Sequence, residues 1–331
     1  MSRDAIEAAA ERIAGHVRVT PEWGLPGAFG HDGPVSLKLE LFQHAGSFKA
    51  RGAFNTLLSQ AVPAAGVAAA SGGNHGAAVA YAARALGHRA RIFVPEISSP
   101  AKIAAIRSFG AEIVVGGARY ADAQEACDRF VAASGALRVH PFDAEATIAG
   151  QGTLAREWEA QAGDGRDIGQ DVGQDVGQDI GQDVGLDSVL VAAGGGGLIS
   201  GIATWWRGRG VRVVGVEPEG SCALHAALEA GRPVDVEVHS VAADSLGARN
   251  VGARVHALCA DAVDHVCLVP DQGITAAQGL LWRDWRLATE PGGATALAAL
   301  LSGAYRPRPG ERVGVLVCGG NVDLAKLQDT V

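Results

Sequence analysis

Short apolar runs rich in β-branched residues alternate along the chain with longer, Ala-rich runs of helical character. We predict strands at 67–70, 91–95, 112–115, 189–192, 211–216 and 313–317, and helices at 74–86, 100–109 and 198–206. Gly87 and Gly110 stand where two of these helices should end. Such alternation indicates parallel strands joined by helical crossovers. The pattern therefore predicts an α/β fold with helices on both faces of each sheet.

Composition narrows the classes of ligand. The chain has 331 residues, 48% of them hydrophobic and only 19% charged, which is enough to bury one large core or two smaller ones. Its net charge is −8 and it has no basic stripe, which argues against nucleic acid or an anionic membrane surface as partner. The uncharged run 188–206 contains five glycines and divides into strand, loop and helix, so we expect no membrane span. Small molecules are the expected ligands.

Cysteine usage and the N-terminal residues bear on the compartment. The five cysteines are an odd number without a C-x-x-C pair, and Met1–Asp4 lacks an apolar signal core. We therefore expect reduced thiols and a cytoplasmic location.

The segment 167–187 repeats the four residues Ile/Val-Gly-Gln-Asp. Its Asp spacing could suggest calcium, but it does not match the nonapeptide calcium repeat and is too short to bury anything. We interpret 167–187 as a low-complexity loop insertion at the surface, without a catalytic role.

Lys49 stands between small and aromatic neighbours in the octapeptide GSFKARGA at 46–53, at the predicted start of a helix. An isolated lysine is usually a solvated surface cation. An enclosed site beside Phe48 would lower the cost of deprotonation, and the neutral amine is the nucleophilic form. Lys49 is therefore the first candidate for covalent catalysis.

A tetraglycine, Gly194 to Gly197, follows an apolar strand and precedes the helix that starts near Leu198. Backbone N–H groups of such a loop, with the helix N-terminus, can hold a phosphate. A dinucleotide-binding turn also places glycines after a strand, and Glu217 lies about twenty positions further on, but the spacing is not G-x-G-x-x-G. Counted with Lys49, the loop favours the phosphate of a lysine-bound cofactor over a dinucleotide.

Two further motifs lie at predicted strand ends. The amides of the segment SGGNH at 71–75, with the Ser71 hydroxyl, can bind a carboxylate, and the Asn74 amide can donate to a cofactor oxygen. Asn74 is equally suited to be an ordinary helix N-cap. Cys318 ends a strand before Gly-Gly-Asn and offers a weak, neutral thiol, although a buried core cysteine is the commoner fate.

Taken in chain order, these four motifs resemble those of fold-type II pyridoxal phosphate enzymes, the group that includes serine and threonine dehydratases, serine racemase and tryptophan synthase β. The resemblance covers most of the chain. It implies two doubly wound parallel-sheet domains with the active site in the cleft between them. The large domain would comprise 1–65 and 141–331 and the small domain 66–140, and the resemblance also favours a homodimer.

The resemblance assigns roles to individual residues. Lys49 would form a Schiff base with pyridoxal 5'-phosphate, Phe48 would pack against its ring, and Cys318 would stand opposite the pyridine nitrogen. The implied cofactor-binding residues are Phe48, Lys49, Asn74, Gly194, Gly195, Gly196, Gly197, Leu198 and Cys318. The implied substrate-binding residues are Ser71, Gly72, Gly73, Asn74 and His75.

The implied reaction is β-elimination of L-serine, L-threonine or both to a 2-oxo acid and ammonia, with Lys49 as general base. Serine racemases carry a second serine where Gly72 stands, and its hydroxyl serves the opposite face of Cα. Racemisation is therefore only the runner-up. Asp244-Ser245 replaces an Asp-Gly pair found near the cofactor in many dehydratases, which leaves a bulkier β-hydroxy amino acid open as substrate.

Two acidic residues complete the comparison. Glu217 matches a glutamate of the divalent metal site of some relatives, but Ala223 replaces the aspartate that accompanies it, so we expect no metal ion. Glu290 matches a segment that lines the cleft in the family, although a surface-loop acid is an equal interpretation.

Overall fold

The computed structural model describes residues 1–163 and 185–328. Residues 167–184 of the predicted loop insertion therefore lie outside the described residues. The described strands are β1 (Glu22–Pro26), β2 (Pro34–Leu39), β3 (Val67–Ala70), β4 (Ala90–Val94), β5 (Glu112–Val115), β6 (Leu137–Arg138), β7 (Ser188–Ala192), β8 (Arg212–Pro218), β9 (His265–Val269) and β10 (Val313–Val317).

The helices connect these strands. The described helices are α1 (Arg3–Ile13), α2 (Lys49–Leu58), α3 (Asn74–Ala85), α4 (Pro100–Ser108), α5 (Tyr120–Ser134), α6 (Glu145–Gly163), α7 (Gly197–Trp206), α8 (Ala223–Ala230), α9 (Ala243–Leu246), α10 (Ala253–Ala262), α11 (Asp271–Trp285), α12 (Pro291–Ser302) and α13 (Leu324–Gln328). Two 3₁₀ turns, Glu40–Phe42 and His44–Gly46, lead into α2.

The strands form two sheets. One has six strands in the order β1-β2-β10-β7-β8-β9, and the other has four in the order β5-β4-β3-β6. All pairs are parallel except β1 with β2, which are antiparallel. The predicted α/β fold with parallel sheets is therefore confirmed, with one antiparallel strand at the edge of the larger sheet. The four strands of the smaller sheet fall between residues 67 and 138; the domain boundaries stay a prediction.

Helical crossovers cover the faces of both sheets, as the apolar strands require. β7 and β10 are buried along their whole length, and α7 presents a fully buried face in the same hydrophobic core. A second core joins α2 and α3 to the smaller sheet through residues such as Phe54, Val79 and Ile92. Because α2 packs in this second core while its N-terminus meets β10, the helix that carries Lys49 lies between the two sheets.

No helix within residues 1–163 and 185–328 combines the length and apolarity needed to cross a bilayer.

Candidate active site

Lys49 is the first residue of α2 and is anchored to the end of β10. Ser47 forms an isolated antiparallel bridge with Gly319, and the Phe48 N–H donates to the Cys318 carbonyl at 3.2 Å. These bonds fix the position from which the lysine side chain extends. The Lys49 Nζ donates to the Pro141 carbonyl at 2.8 Å and lies 5.2 Å from the centroid of the Phe48 ring.

The charge state of Lys49 is set by its surroundings. Loss of hydration lowers the pKa of the Lys49 amine to about 8, against smaller opposing contributions from Cys318 and Glu290. A substantial fraction of the amine is therefore neutral near neutral pH. This is the form that can act as nucleophile or base.

The tetraglycine forms the turn between β7 and α7, as predicted. Gly196 adopts the left-handed conformation with φ 77° and caps the helix, which begins at Gly197. A Cβ atom added to Gly194 would lie 2.7 Å from Leu246 Cα, and one added to Gly197 would lie 2.7 Å from Phe142 Cα. The loop therefore tolerates no side chain on the inside, and its N–H groups lie at the positive end of a ten-residue helix.

A four-residue segment, His140 to Asp143, connects Lys49 with the glycine loop. The His140 Nδ1 accepts hydrogen bonds from the N–H groups of Phe142 at 3.2 Å and Asp143 at 2.9 Å. Pro141 provides the carbonyl that holds Lys49, and the Phe142 ring fills the space against Gly195. The lysine and the glycine loop are therefore held against one continuous stretch of backbone.

The segment Ser71 to His75 follows β3 and opens α3. Gly73 is the N-cap and Asn74 is the first helical residue, whose side chain makes no capping bond. The interpretation of Asn74 as an ordinary N-cap is therefore wrong. The Ser71 hydroxyl accepts from the Gly73 N–H at 3.2 Å, which tightens the turn.

The side chain of Asn74 is held from two sides. Its Nδ2 donates to Glu290 Oε1, and its Oδ1 accepts from Asn321 Nδ2 at 2.7 Å. Asn321 Nδ2 also donates to the Ala45 carbonyl at 2.8 Å. These partners fix the orientation of the Asn74 amide and leave one of its two N–H groups for another acceptor.

Glu290 is buried at the end of the loop before α12, with only 4% of its surface exposed. The interpretation of Glu290 as a surface-loop acid is therefore wrong. Burial raises the pKa of its carboxyl to about 7, while Lys102 and the hydrogen bond from Asn74 act in the opposite direction.

Two histidines beside Lys49 remain uncharged at neutral pH. Burial, with a smaller contribution from the nearby Lys49 amine, lowers the pKa of His75 to about 3. Burial and Arg138 lower the pKa of His140 to about 4. The His75 Nε2 lies 2.9 Å from the Val139 carbonyl, so this nitrogen carries the proton and donates.

Cys318 follows β10 and is buried, as both interpretations of its role require. Burial raises the pKa of the thiol, and its Sγ donates to the Gly292 carbonyl at 3.4 Å. The group is therefore a neutral thiol rather than a thiolate.

Leu198, the predicted cofactor-binding residue directly after the glycine loop, is buried in the first turn of α7.

Glu217 lies near the end of β8, and both of its carboxyl oxygens accept hydrogen bonds from backbone N–H groups. Its carboxylate accepts from the N–H groups of Leu224 at 3.0 Å and His225 at 2.8 Å, at the start of α8. Burial raises the pKa of this carboxyl to about 8. The residue therefore caps a helix, and within the described residues no group of three or more His, Cys, Asp or Glu side chains is arranged to hold a metal ion.

A cleft of about 980 Å³ opens between the two sheets. Residues from both sides line the cleft, and they include Gly73, Asn74, Lys102, Asp244, Ser245 and Glu290. Lys102 of α4 pairs with Asp244 of α9 at 2.9 Å across this cleft.

Three of the residues that shape this site have no role predicted from the sequence. Pro141 and Phe142 carry no local signal, because their partners lie 92 residues away at Lys49 and in the glycine loop. Asn321 is the last residue of the motif that begins at Cys318. One feature of the sequence could have indicated a role for Asn321: it is an amide residue that follows a pair of glycines at the end of a strand.

The family model described as "Pyridoxal-phosphate dependent enzyme" matches residues 13–319. The chain belongs to this family. The residues present fit the cofactor, because the glycine turn places N–H groups at the start of α7, a partly neutral lysine is held by Pro141 next to the residue that packs on this turn, and a neutral thiol is buried near that lysine. Pyridoxal phosphate is accordingly the cofactor of the enzyme.

Similar proteins include a phenylserine dehydratase of Ralstonia pickettii, which is 39% identical over 97% of this chain and 93% of its own length. An L-threonine ammonia-lyase of Geobacter sulfurreducens is 37% identical over 90% of this chain and 70% of its own length.

Solved structures of the same fold include a threonine deaminase from T.th., with 35% identity and a TM-score of 0.86, covering 98% of this chain and 99% of that one. The structure of maize serine racemase has 30% identity and a TM-score of 0.86, covering 99% of this chain and 96% of that one.

Proposed function

We propose that the enzyme is a serine/threonine dehydratase, an ammonia-lyase that converts a β-hydroxy L-amino acid to a 2-oxo acid and ammonia. The observation that carries the proposal is the position of Lys49. Its amine has a lowered pKa and donates to the carbonyl of Pro141, the residue before the Phe142 that packs against the glycine loop. The names of the two similar curated proteins, a phenylserine dehydratase and an L-threonine ammonia-lyase, support the same reaction class.

The site residues divide the binding work among three backbone elements. The N–H groups of Gly194 to Gly197 and Leu198 would hold the cofactor phosphate at the start of α7. The free N–H of Asn74 would donate to the cofactor hydroxyl, because the other is taken by Glu290. Phe48 would pack on the ring.

Carboxylate binding falls to the turn before α3. Among the described residues, none accepts from the backbone N–H groups of Gly72, Asn74 or His75. These groups and the Ser71 hydroxyl would receive the substrate carboxylate, with the N-terminus of α3 adding a favourable partial charge.

The cofactor, when bound, supplies an electron sink for the pair left behind at the substrate Cα. Lys49, as a neutral amine, takes the proton from Cα. The β-hydroxyl leaves with one proton as water, and hydrolysis of the released enamine gives the 2-oxo acid and ammonia. The Cys318 thiol stays protonated throughout, so it places no negative charge beside the pyridine nitrogen.

The substrates we propose are L-serine, L-threonine or both, giving pyruvate or 2-oxobutyrate. A bulkier β-hydroxy amino acid is the second candidate, because the chain is similar to a phenylserine dehydratase and Ser245 lines the cleft in place of a glycine. Racemisation is a further candidate, because the structure is similar to that of maize serine racemase, and formation of D-serine would detect it.

We also propose a cytoplasmic homodimer. All five cysteines are free, which suits a reducing compartment. Phe42 and Leu324, which both line the cleft, are 44% and 57% exposed, and large exposed apolar side chains on one part of the surface favour a covering partner. Light scattering coupled to gel filtration measures the mass, and a monomer at micromolar concentration would contradict the dimer.

The function is tested by release of 2-oxo acid from a panel of L-serine, L-threonine and L-phenylserine by the enzyme loaded with pyridoxal phosphate. We expect at least one substrate to turn over, and Lys49→Ala and Lys49→Arg to lower the rate by about 10³-fold or more while keeping the wild-type circular dichroism spectrum. Formation of D-serine without pyruvate would instead show a racemase.

A further inference from the structure

Ser98 lies in the turn between β4 and α4, directly beside the Ser71–His75 segment. β3 and β4 are neighbouring parallel strands, so the residues after them meet at the same edge of the smaller sheet. The Ser98 N–H donates to the Pro95 carbonyl at 3.0 Å, and Ser99 caps α4 immediately afterwards. The position of Ser98 is therefore fixed by a turn on one side and a helix start on the other.

The Ser98 side chain takes the space above Gly72. A Cβ atom added to Gly72 would overlap Ser98 Oγ and would lie 2.7 Å from Ser98 Cβ and 3.1 Å from Val94 Cγ1. The Ser98 side chain therefore leaves no room for a side chain at position 72. The hydroxyl that a serine at position 72 would bring is replaced, in nearly the same place, by one from the neighbouring turn.

The Ser98 hydroxyl is half-buried and available. Within residues 1–163 and 185–328 it neither donates to nor accepts from any group. Ser99, its neighbour, uses its hydroxyl to accept from the Lys102 N–H at 3.4 Å. A half-buried hydroxyl next to Gly72, whose N–H has no acceptor among the described residues, is suited to donate to the same anion as that N–H.

We propose that Ser98 is a substrate-binding residue whose hydroxyl donates to the carboxylate of the bound amino acid, in the place left by the missing side chain of Gly72. The inference rests on the proposed function only in taking this carboxylate to lie at the Ser71–His75 segment.

The first experiment compares Ser98→Ala with the wild-type holoenzyme. Loss of a hydrogen bond to a charged group should raise the KM for the best β-hydroxy amino acid about tenfold, with kcat and the dissociation constant of pyridoxal phosphate nearly unchanged. The inhibition constant of propionate, which offers a carboxylate alone, should rise by a similar factor. Ser108→Ala, an exposed serine of α4 whose hydroxyl donates to Ala105, is the control and should alter none of these values.

The second experiment moves the hydroxyl. Gly72→Ser alone should bind substrate poorly, because its side chain overlaps Ser98. The double variant Gly72→Ser, Ser98→Gly removes the overlap and supplies a hydroxyl from the other chain segment, so KM and the propionate constant should recover toward wild type.

The outcomes separate the two proposals. Unchanged KM and unchanged propionate inhibition in Ser98→Ala would overturn the role of Ser98, as would a fall in cofactor affinity as large as the change in KM. A double variant that has the wild-type melting temperature yet binds no better than Ser98→Gly would also overturn it. Failure of the wild-type enzyme to release a 2-oxo acid from any panel member would instead contradict the proposed function.

Discussion

At the scale of single residues, the chemistry depends on how one lysine is kept partly neutral. The amine of Lys49 has one hydrogen-bond acceptor among the described residues, the uncharged Pro141 carbonyl. The neighbouring His75 and His140 are themselves neutral, and the acids nearest to it, Cys318 and Glu290, have raised pKa values. The contributions of Cys318 and Glu290 that favour the ammonium form are therefore smaller than the effect of its lost hydration.

This arrangement predicts the pH dependence of Lys49 reactivity in the cofactor-free protein. Only the neutral amine is acylated. The pKa of Lys49 is lowered to about 8, whereas the pKa of an unperturbed lysine is about 10.4. Acetylation of Lys49 by limiting acetic anhydride should therefore rise with pH and reach half its maximum near pH 8. Mass spectrometry of the peptide that contains Lys49 measures the extent of modification.

A lysine peptide added to the same tube is the reference, since it should reach half-maximal acetylation more than one pH unit higher. Coincident curves for Lys49 and the peptide would show that the site does not lower the pKa of the amine.

At the scale of structural elements, the sequence predicted six of the ten described strands and four of the thirteen described α-helices. The strands at 67–70, 112–115 and 313–317 have the predicted bounds, and the helix that follows the tetraglycine ends at Trp206 as expected. β3, β10 and α7 are buried along their whole length, so an unbroken apolar run carries their signal; β5 is mostly exposed, and its signal is the β-branched run Ile113–Val115. The antiparallel β1 was not predicted, because Glu22–Pro26 is half exposed and has no such run.

The supports of the site could not be predicted in the same way. The predicted domain boundary separated His140 from Pro141, yet these two residues belong to one turn that holds Lys49. Phe142 has no property in the sequence that distinguishes it from a core phenylalanine. Its importance comes from where the chain brings Gly195 and Gly197, which is decided by tertiary packing.

The close approach of Phe142 to the glycine loop predicts the effect of one added methyl group. In Gly197→Ala the new Cβ would lie 2.7 Å from Phe142 Cα, a backbone atom that cannot move independently. We expect a loss of about 1–3 kcal/mol in the free energy of unfolding. The loop amides would also shift, so the dissociation constant of pyridoxal phosphate should rise about tenfold or more.

Equilibrium dialysis and thermal unfolding measure these two quantities. Gly116→Ala is the matched control, because Gly116 also follows a strand but has nothing within 4 Å of an added Cβ. Wild-type cofactor affinity in Gly197→Ala would mean that the loop does not form the phosphate site.

At the scale of the whole molecule, the cleft is bridged by polar contacts that join the two sheets. Asn74 belongs to α3 on the smaller sheet, whereas Glu290 and Asn321 follow α11 and β10 around the larger one. Substrate and cofactor would lie where these contacts meet, so the relative position of the sheets and the orientation of the Asn74 amide depend on the same hydrogen bonds. Residues this far apart in sequence gave no joint signal.

The last prediction concerns Asn321, which donates to both Asn74 Oδ1 and the Ala45 carbonyl. Asn321→Asp keeps the shape of the side chain but removes the donor and places an oxygen against two acceptors. We therefore expect it to weaken pyridoxal phosphate binding at least as much as Asn321→Ala, by about tenfold, corresponding to roughly 1–3 kcal/mol for an unsatisfied buried partner. Asn250→Asp, at a half-buried asparagine whose Nδ2 donates to Asp235 at the surface, should leave the affinity unchanged. An Asn321→Asp variant that binds the cofactor as the wild type does would show that the cleft is held without this donor.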